Sequence, residues 1–214
     1  GGLVNTKPSL LLEPQSTNKL PYSEDFSQSD WAKGNTSITK NIIKSPDGTV
    51  NAHKLVEDSS NSYHKLDDTI TVSSGATVTC SVFVKKAERD FILLFESQSA
   101  DGAYFNLNTG AFVRTDGSPN SYNSENYGNG WYRLSITATV PSTSCRFQIY
   151  VTETSATTVY QGNGSSGVYL WGAMVEELSY ATSYIPTNGS TQTRAAETCN
   201  GAGTSSILPS EEGI

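Results

Sequence analysis

The sequence predicts an all-β protein in which two antiparallel sheets pack face to face as a sandwich. Three observations carry that expectation. Charged residues make up 16% and hydrophobic residues 36% of the 214 positions. Ser, Thr, Asn and Gly together fill roughly two-fifths, which favours turns and leaves too little Ala, Leu, Glu and Lys for a helical protein. Apolar and polar residues alternate with period two through several segments, and turn signals punctuate the chain between them. Helical periodicity is missing, apart from a single turn at KKAERD (85–90).

The elements follow in chain order. GNTSITKN (34–41), NAHKLVED (51–58) and YHKLDDTITV (63–72) read as strands, separated by PDG at 46–48 and bounded by SSG at 73–75. In TVTCSVFVKK (77–86), Val78, Cys80, Val82 and Val84 share one face, and Thr79, Ser81, Phe83 and Lys85 the other. DFILLFE (90–96) is apolar on both faces and suits a central strand. AYFNLNTGAFV (103–113) reads as a hairpin about NTG, because Asn and Gly tolerate the positive φ of tight turns. WYRLSITATV (131–140) sets Tyr132, Leu134, Ile136, Ala138 and Val140 against Trp131, Arg133, Ser135 and Thr137. CRFQIYV (145–151) sets Cys145, Phe147, Ile149 and Val151 against Arg146, Gln148 and Tyr150. GVYLWGAMVEE (167–177) closes the series after the turn GNGSSG. One-faced strands of this number, about nine or ten, need a facing sheet to bury their apolar sides.

Three domain segments are expected: an extended N-terminal arm over 1–20, the sandwich over 21–185, and a polar, Gly-rich linker or wrap-around tail over 186–214. The apolar residues Ile207, Leu208 and Ile214 after that linker read as a connection into a further domain of a longer chain. A formal net charge of −7 gives no basic footprint for nucleic acid. No stretch approaches the roughly 20 apolar residues of a membrane span. The N-terminal segment lacks the apolar core of a signal peptide, so a signal was removed or the protein leaves its cell without one. Cys80, Cys145 and Cys199 match neither a disulfide framework nor a zinc pattern, and read as buried thiols rather than a pair.

No nucleophile elbow, phosphate loop or zinc-protease motif is present. The acidic pairs Glu24–Asp25, Asp67–Asp68 and Glu176–Glu177 place neighbouring carboxylates on opposite sides of an extended chain. None of them forms a facing acid and base, and solvated or metal-binding roles fit them better. His53 and His64 fall within strands. The outward set Phe83, Lys85, Trp131, Arg133, Arg146, Gln148 and Tyr150 joins flat rings to planar hydrogen-bonding groups. That combination suits sugars, whose C–H faces stack on rings and whose hydroxyls bond polar side chains. The competing reading is a set of cross-strand pairs that only stabilise the sheets.

Several segments together, PSLLLEPQSTNKLPYSEDFSQSDW, SPDGTVNAHKLVED, VTCSVFVKK, NGWYRLSITATV, GVYLWGAMVEE and YATSYIPTNGSTQTRAAETC, resemble a module of phage virion proteins such as tail fibres and host-recognition parts. That module is similar in build to jelly-roll carbohydrate-binding modules. The resemblance implies a jelly-roll sandwich, a cell-surface or extracellular polysaccharide as partner, and a place on the virion surface or outside the cell. It also implies a structural calcium ion near the meeting of first and last strands, which by position falls to Glu24, Asp25, Glu176 and Glu177. Hard carboxylate oxygens suit that ion. Met174 stands where related modules often carry Gln. The expected function is non-catalytic glycan binding. The rivals are a structural spacer or docking domain, and a module of (or itself) a secreted polysaccharide-degrading enzyme. A lyase would place a Tyr or His base near Arg and Gln, an arrangement that Arg133, Arg146, Gln148 and Tyr150 could imitate.

Overall fold

The structure is a computed structural model, and it describes residues 12–198. Among these residues it contains fifteen strands and no helix. In chain order they are β1 (Ser16–Asn18), β2 (Ala32–Gly34), β3 (Thr36–Lys44), β4 (Val50–Glu57), β5 (Asn61–Thr71), β6 (Thr77–Lys86), β7 (Phe91–Glu96) and β8 (Asp101–Asn106). They continue with β9 (Ala111–Asp116), β10 (Ser121–Gly128), β11 (Trp131–Thr139), β12 (Ser144–Thr152), β13 (Val159–Gln161), β14 (Gly167–Glu176) and β15 (Gln192–Arg194). The first sheet runs β10-β11-β6-β14-β4-β3 and the second β13-β5-β12-β7-β8-β9, with β2 also lying along β5. All pairings are antiparallel, and the chain crosses repeatedly from one sheet to the other. This is the two-sheet antiparallel sandwich the alternation predicts.

The core forms where the inward residues of the two sheets meet. Val78, Cys80, Val82 and Val84 of β6 and Leu134 and Ile136 of β11 face Cys145, Phe147, Ile149 and Val151 of β12 and Ile92 and Leu94 of β7. Strand parity therefore follows the sequence pattern in β6, β11 and β12. β14 needs a correction midway. Its register shifts between Trp171 and Met174, at Gly172 with φ 61°. The shift brings Val168 and Leu170 before it, and Ala173 and Val175 after it, onto the same core face. A Cβ at Gly172 would lie 2.9 Å from the Phe83 ring, so both the conformation and the space call for glycine.

Where they are described, the N-terminal arm expected over 1–20 and the tail expected over 186–214 pack on the sandwich and on each other. β1 pairs with β15, Ser16 opposite Arg194 and Asn18 opposite Gln192. Leu20, Phe26 and Trp31 are fully buried in the main core. Asn18, itself buried, donates its amide to the carbonyls of Ala173 (3.1 Å) and Ile185 (2.9 Å). Its side-chain oxygen accepts from the N–H groups of Leu20 and Val175, both at 3.2 Å. One side chain thus ties the N-terminal segment, β14 and the segment after β14 together. Cys80 and Cys145 are free thiols buried in the core, and burial followed by the neighbouring Cys145 thiol pushes the Cys80 thiol up. Cys199 and the connection read at Ile207, Leu208 and Ile214 lie outside the described residues.

Candidate functional site

The seven residues expected to form one sugar-binding surface are divided between the two outer faces. Phe83, Lys85, Trp131 and Arg133 belong to β6 and β11 of the first sheet, whereas Arg146, Gln148 and Tyr150 belong to β12 of the second. The two groups point away from each other across the core, so they cannot meet one ligand.

The first group corrects the expectation further. Phe83 and Trp131 do point away from the main core, yet each is only 2% exposed. With Ala52 and Trp171 they form a second apolar cluster, against which Ile43, Tyr169 and Tyr184 pack. The chain after β14 supplies Tyr184, whose ring lies 4.6 Å from Trp171 and 6.0 Å from Phe83. Tyr127 covers Phe83 from another side at 4.8 Å, and Trp131 donates its indole N–H to the Lys44 carbonyl at 3.1 Å. Arg133, 5% exposed, donates to the Ser81 hydroxyl and the Met174 sulfur. Met174 in turn accepts the Ile185 N–H. These rings are buried by the protein's own chain and have no free face for stacking.

The second group stands on the outer face of the second sheet, where Arg146 and Tyr150 are half-buried and Gln148 is only 3% exposed. Antiparallel register lines up Lys65 of β5, Tyr150 of β12, Leu93 of β7, Tyr104 of β8 and Arg114 of β9 in one cross-strand row. The adjacent row holds Asp67, Gln148, Phe95, Gly102 and Asp116. Asp67 organises the polar part. One of its oxygens accepts from Nε and Nη2 of Arg146, each at 2.8 Å, and the other lies 2.9 Å from the Lys65 ammonium. Held by a nearly buried carboxylate, the Arg146 side chain stays 41% exposed. The Tyr150 hydroxyl donates to Gln148 at 3.1 Å.

Aromatic rings surround this polar centre. Tyr150 meets Tyr63 edge-on at 6.5 Å and Phe95 at 6.4 Å, while the Lys65 ammonium lies 5.4 Å from the Tyr63 ring and 5.7 Å from the Tyr150 ring. A Cβ at Gly102 would come within 2.7 Å of the Phe95 ring, so the missing side chain makes room for that ring on the face. The β12–β13 connection bounds one end: the Ser155 carbonyl accepts from Arg114, whose guanidinium covers Tyr104 at 4.0 Å. Burial, then the Asp67 charge, pushes the Tyr150 phenol up, so it remains protonated at neutral pH. Asp67 and Asp116 lie four strand spacings apart, about 19 Å at the usual inter-strand distance. That exceeds the reach of a glycosidase carboxylate pair.

The four carboxylates expected to hold calcium do not fit that ion. Glu24 accepts from the Tyr184 hydroxyl and Asn51, and Asp25 from Ser27, Gln28 and Lys40. Buried Glu176 accepts from Ser16 and from the hydroxyl and N–H of Thr182. Glu177 accepts from Ser73 and pairs with Lys19. Donors occupy the oxygens a cation would need. No three His, Cys, Asp or Glu side chains gather as a metal cluster among the described residues. Tyr63, Lys65 and Phe95 join the site without having been singled out by sequence, and Asp67, read there only as half of an acidic pair, joins it as the partner of Arg146. Tyr63, Lys65 and Asp67 alternate in YHKLDDTITV and Phe95 lies in the two-faced DFILLFE, but only the strand order sets them beside Tyr150.

No family model matches the chain, and no curated protein matches it. Among solved structures it is similar to the enzymatically active domain of tailspike protein 4 of bacteriophage CBA120 (11% identity, 74% of this chain and 21% of that chain, TM-score 0.43). It is also similar to a carbohydrate-binding module of Cellvibrio mixtus lichenase 5A in complex with cellotriose (12% identity, 74% and 94%, TM-score 0.37). A third is the Clostridium thermocellum xylanase 10B fragment comprising a carbohydrate-binding module and a catalytic module, complexed with xylohexaose (14% identity, 82% and 30%, TM-score 0.41).

Proposed function

We propose that the chain is a non-catalytic glycan-binding module that takes a polysaccharide across the outer face of its second sheet. One observation carries this reading: exposed Tyr63 and half-buried Tyr150 flank an Arg146–Asp67–Lys65 group on adjacent strands of the outer face, with the Arg146 side chain reaching solvent over the buried Asp67. The rings offer apolar surface to sugar C–H groups, and the oriented guanidinium offers donors to hydroxyls. Pre-orientation by Asp67 lowers the cost of ordering Arg146 at binding. A protonated Tyr150 is a poor general base, and a carboxylate partner at about 19 Å is too distant for paired acid–base work, so lyase and hydrolase chemistry fit this face badly. The resemblance of the sequence segments to phage virion modules supports a role in a virion protein, where copies on one particle would add avidity to a shallow site.

A glycan array with the purified chain, followed by titration of the best binder, tests the reading. Tyr150→Ala is expected to weaken binding about fivefold or more, as loss of about 1 kcal/mol of ring contact predicts, and Arg146→Ala by a similar factor. Absence of any binder on the array, unchanged affinity in both variants, or depolymerisation of the bound polymer would overturn it.

A further inference from the structure

A cleft of about 580 Å³ is lined by residues other than those of that face. Its walls are the segment after β1 (Glu24 and Asp25), β3 (Lys40 and Asn41), β4 (Asn51 and His53), and the C-terminal segment from Pro186 to Gln192 of β15. The volume lies within the range of about 300–1,000 Å³ usual for small-molecule sites. Three polar atoms of its lining residues are buried without a hydrogen-bond partner among the described residues: Asn51 Oδ1, His53 Nδ1 and Thr187 Oγ1. His53 is 4% exposed and Thr187 6%. Asn51 cannot repair this by turning its amide. Its nitrogen already donates to Glu24 at 3.2 Å and Asp47 at 3.3 Å, which holds the oxygen as the unmet acceptor.

A buried polar atom without a partner is uncommon, so three on the residues that line one cleft mark hydrogen-bonding capacity that the protein itself leaves unused there. The backbone beside the cleft is strained as well. Pairing of β3 with β4 skips between Thr39 and Ile43, and Asn41 within the skip holds φ 53°. Chemistry narrows the occupant. Burial, opposed by the Asp25 charge, pushes the His53 imidazole down and keeps it neutral, with one donor and one acceptor. Thr187 likewise donates and accepts, Lys40 donates, and Asn51 and Glu24 accept. Among the described residues no tyrosine, tryptophan or phenylalanine lines the cleft, so the lining offers hydrogen bonds rather than ring stacking.

We infer that this cleft is a second binding site, taking a neutral hydroxyl-rich unit, the terminal residue of a saccharide, by hydrogen bonds alone. Hydroxyls are the groups that both donate and accept, as this lining requires. The inference does not rest on the outer face of the second sheet, since the two sites share no residue.

The test is an NMR titration of the full chain with single neutral monosaccharides (glucose, galactose and mannose), with glycerol as the simple polyol. The expected result is a saturable shift of the His53 ring signals with at least one sugar, while those of His64, buried elsewhere, stay fixed. Lys40→Ala and Gln192→Ala alter exposed side chains and should each raise the Kd threefold or more. Tyr150→Ala should leave it unchanged, which separates this site from that outer face. The inference is overturned if no sugar moves His53, if Lys40→Ala and Gln192→Ala both leave the Kd unchanged, if Tyr150→Ala abolishes the shift, or if glycerol saturates the site as tightly as any sugar, marking an adventitious additive only.

Discussion

Trp131 shows how far residue-level reading reaches. Alternation correctly puts it on the side of β11 away from Leu134 and Ile136, but it cannot reveal that Tyr184 and the β3–β4 turn fold back over that side. A tryptophan buried to 2% exposure is structural, and Trp131→Ala is expected to cost about 3–5 kcal/mol. For a chain of this size that lowers the thermal midpoint by about 10 °C, readable by calorimetry; a change under about 2 °C would contradict the burial. Asp68 is the second instructive residue. It shares the inward parity of Leu66 and Ile70, is 5% exposed, and one of its oxygens lacks a partner. Burial raises its carboxyl to about 6, against an ordinary value of 3.8, and the Asp30 and Asp67 charges add to the rise. The folded state therefore holds this proton after the unfolded state has released it. Stability from this group is complete below about pH 4 and is lost as pH climbs through about 6. Asp68→Asn should raise the midpoint by about 3 °C or more at pH 7.5 and change it little at about pH 3.5. Melts at the two pH values check both the sign and the window.

Among elements, legibility followed the presence of an apolar face. β6, β11 and β12 each carry four or more alternating apolar residues, and their parity was plain from sequence. β10 (SYNSENYG) is an edge strand, almost wholly exposed, and has no apolar side to betray it. β1, β2, β13 and β15 are three residues long, too short for any period. The candidate face was half legible: Arg146, Gln148 and Tyr150 came from one strand, but their neighbours Lys65 and Asp67 depend on long-range strand order. The cleft was not legible at all, because four separate segments build it. Element docking also has a residue that controls it. Asn18 makes four hydrogen bonds, one local to Leu20 and three that hold β1 against β14 and the chain beyond it. Asn18→Ala strands two buried carbonyls and two N–H groups, and should lower the midpoint by about 5 °C or more. It should also speed hydrogen exchange at the Leu20 and Val175 amides. Exchange unchanged at both would show that β1 docks without it.

At the scale of the whole molecule, the sandwich uses its two outer faces differently. The first sheet is roofed by the protein's own C-terminal segment, whereas the second has no such roof and pairs its charges along β5 and across to β12. The pairing of β1 with β15 carries a mechanical consequence. Ser16 lies opposite Arg194, and Glu13 forms an ion pair with Arg194 just outside them, so chain entering and leaving this strand pair does so at the same end. Tension applied through the flanking chain would open the pair like a zipper, one rung at a time, rather than shear all rungs at once. The load then arrives at Asn18, where three bonds to Ala173, Ile185 and Val175 must fail before force reaches the sheets. Pulled in an optical trap, the protein should yield first in a small low-force step that releases about 20 residues or fewer, at up to about 3.6 Å each, before the sandwich ruptures. Asn18→Ala should merge that step with the rupture or lower both forces. An antiparallel clasp of this kind makes the module a graded tether, soft at its attachment and stiff at its centre.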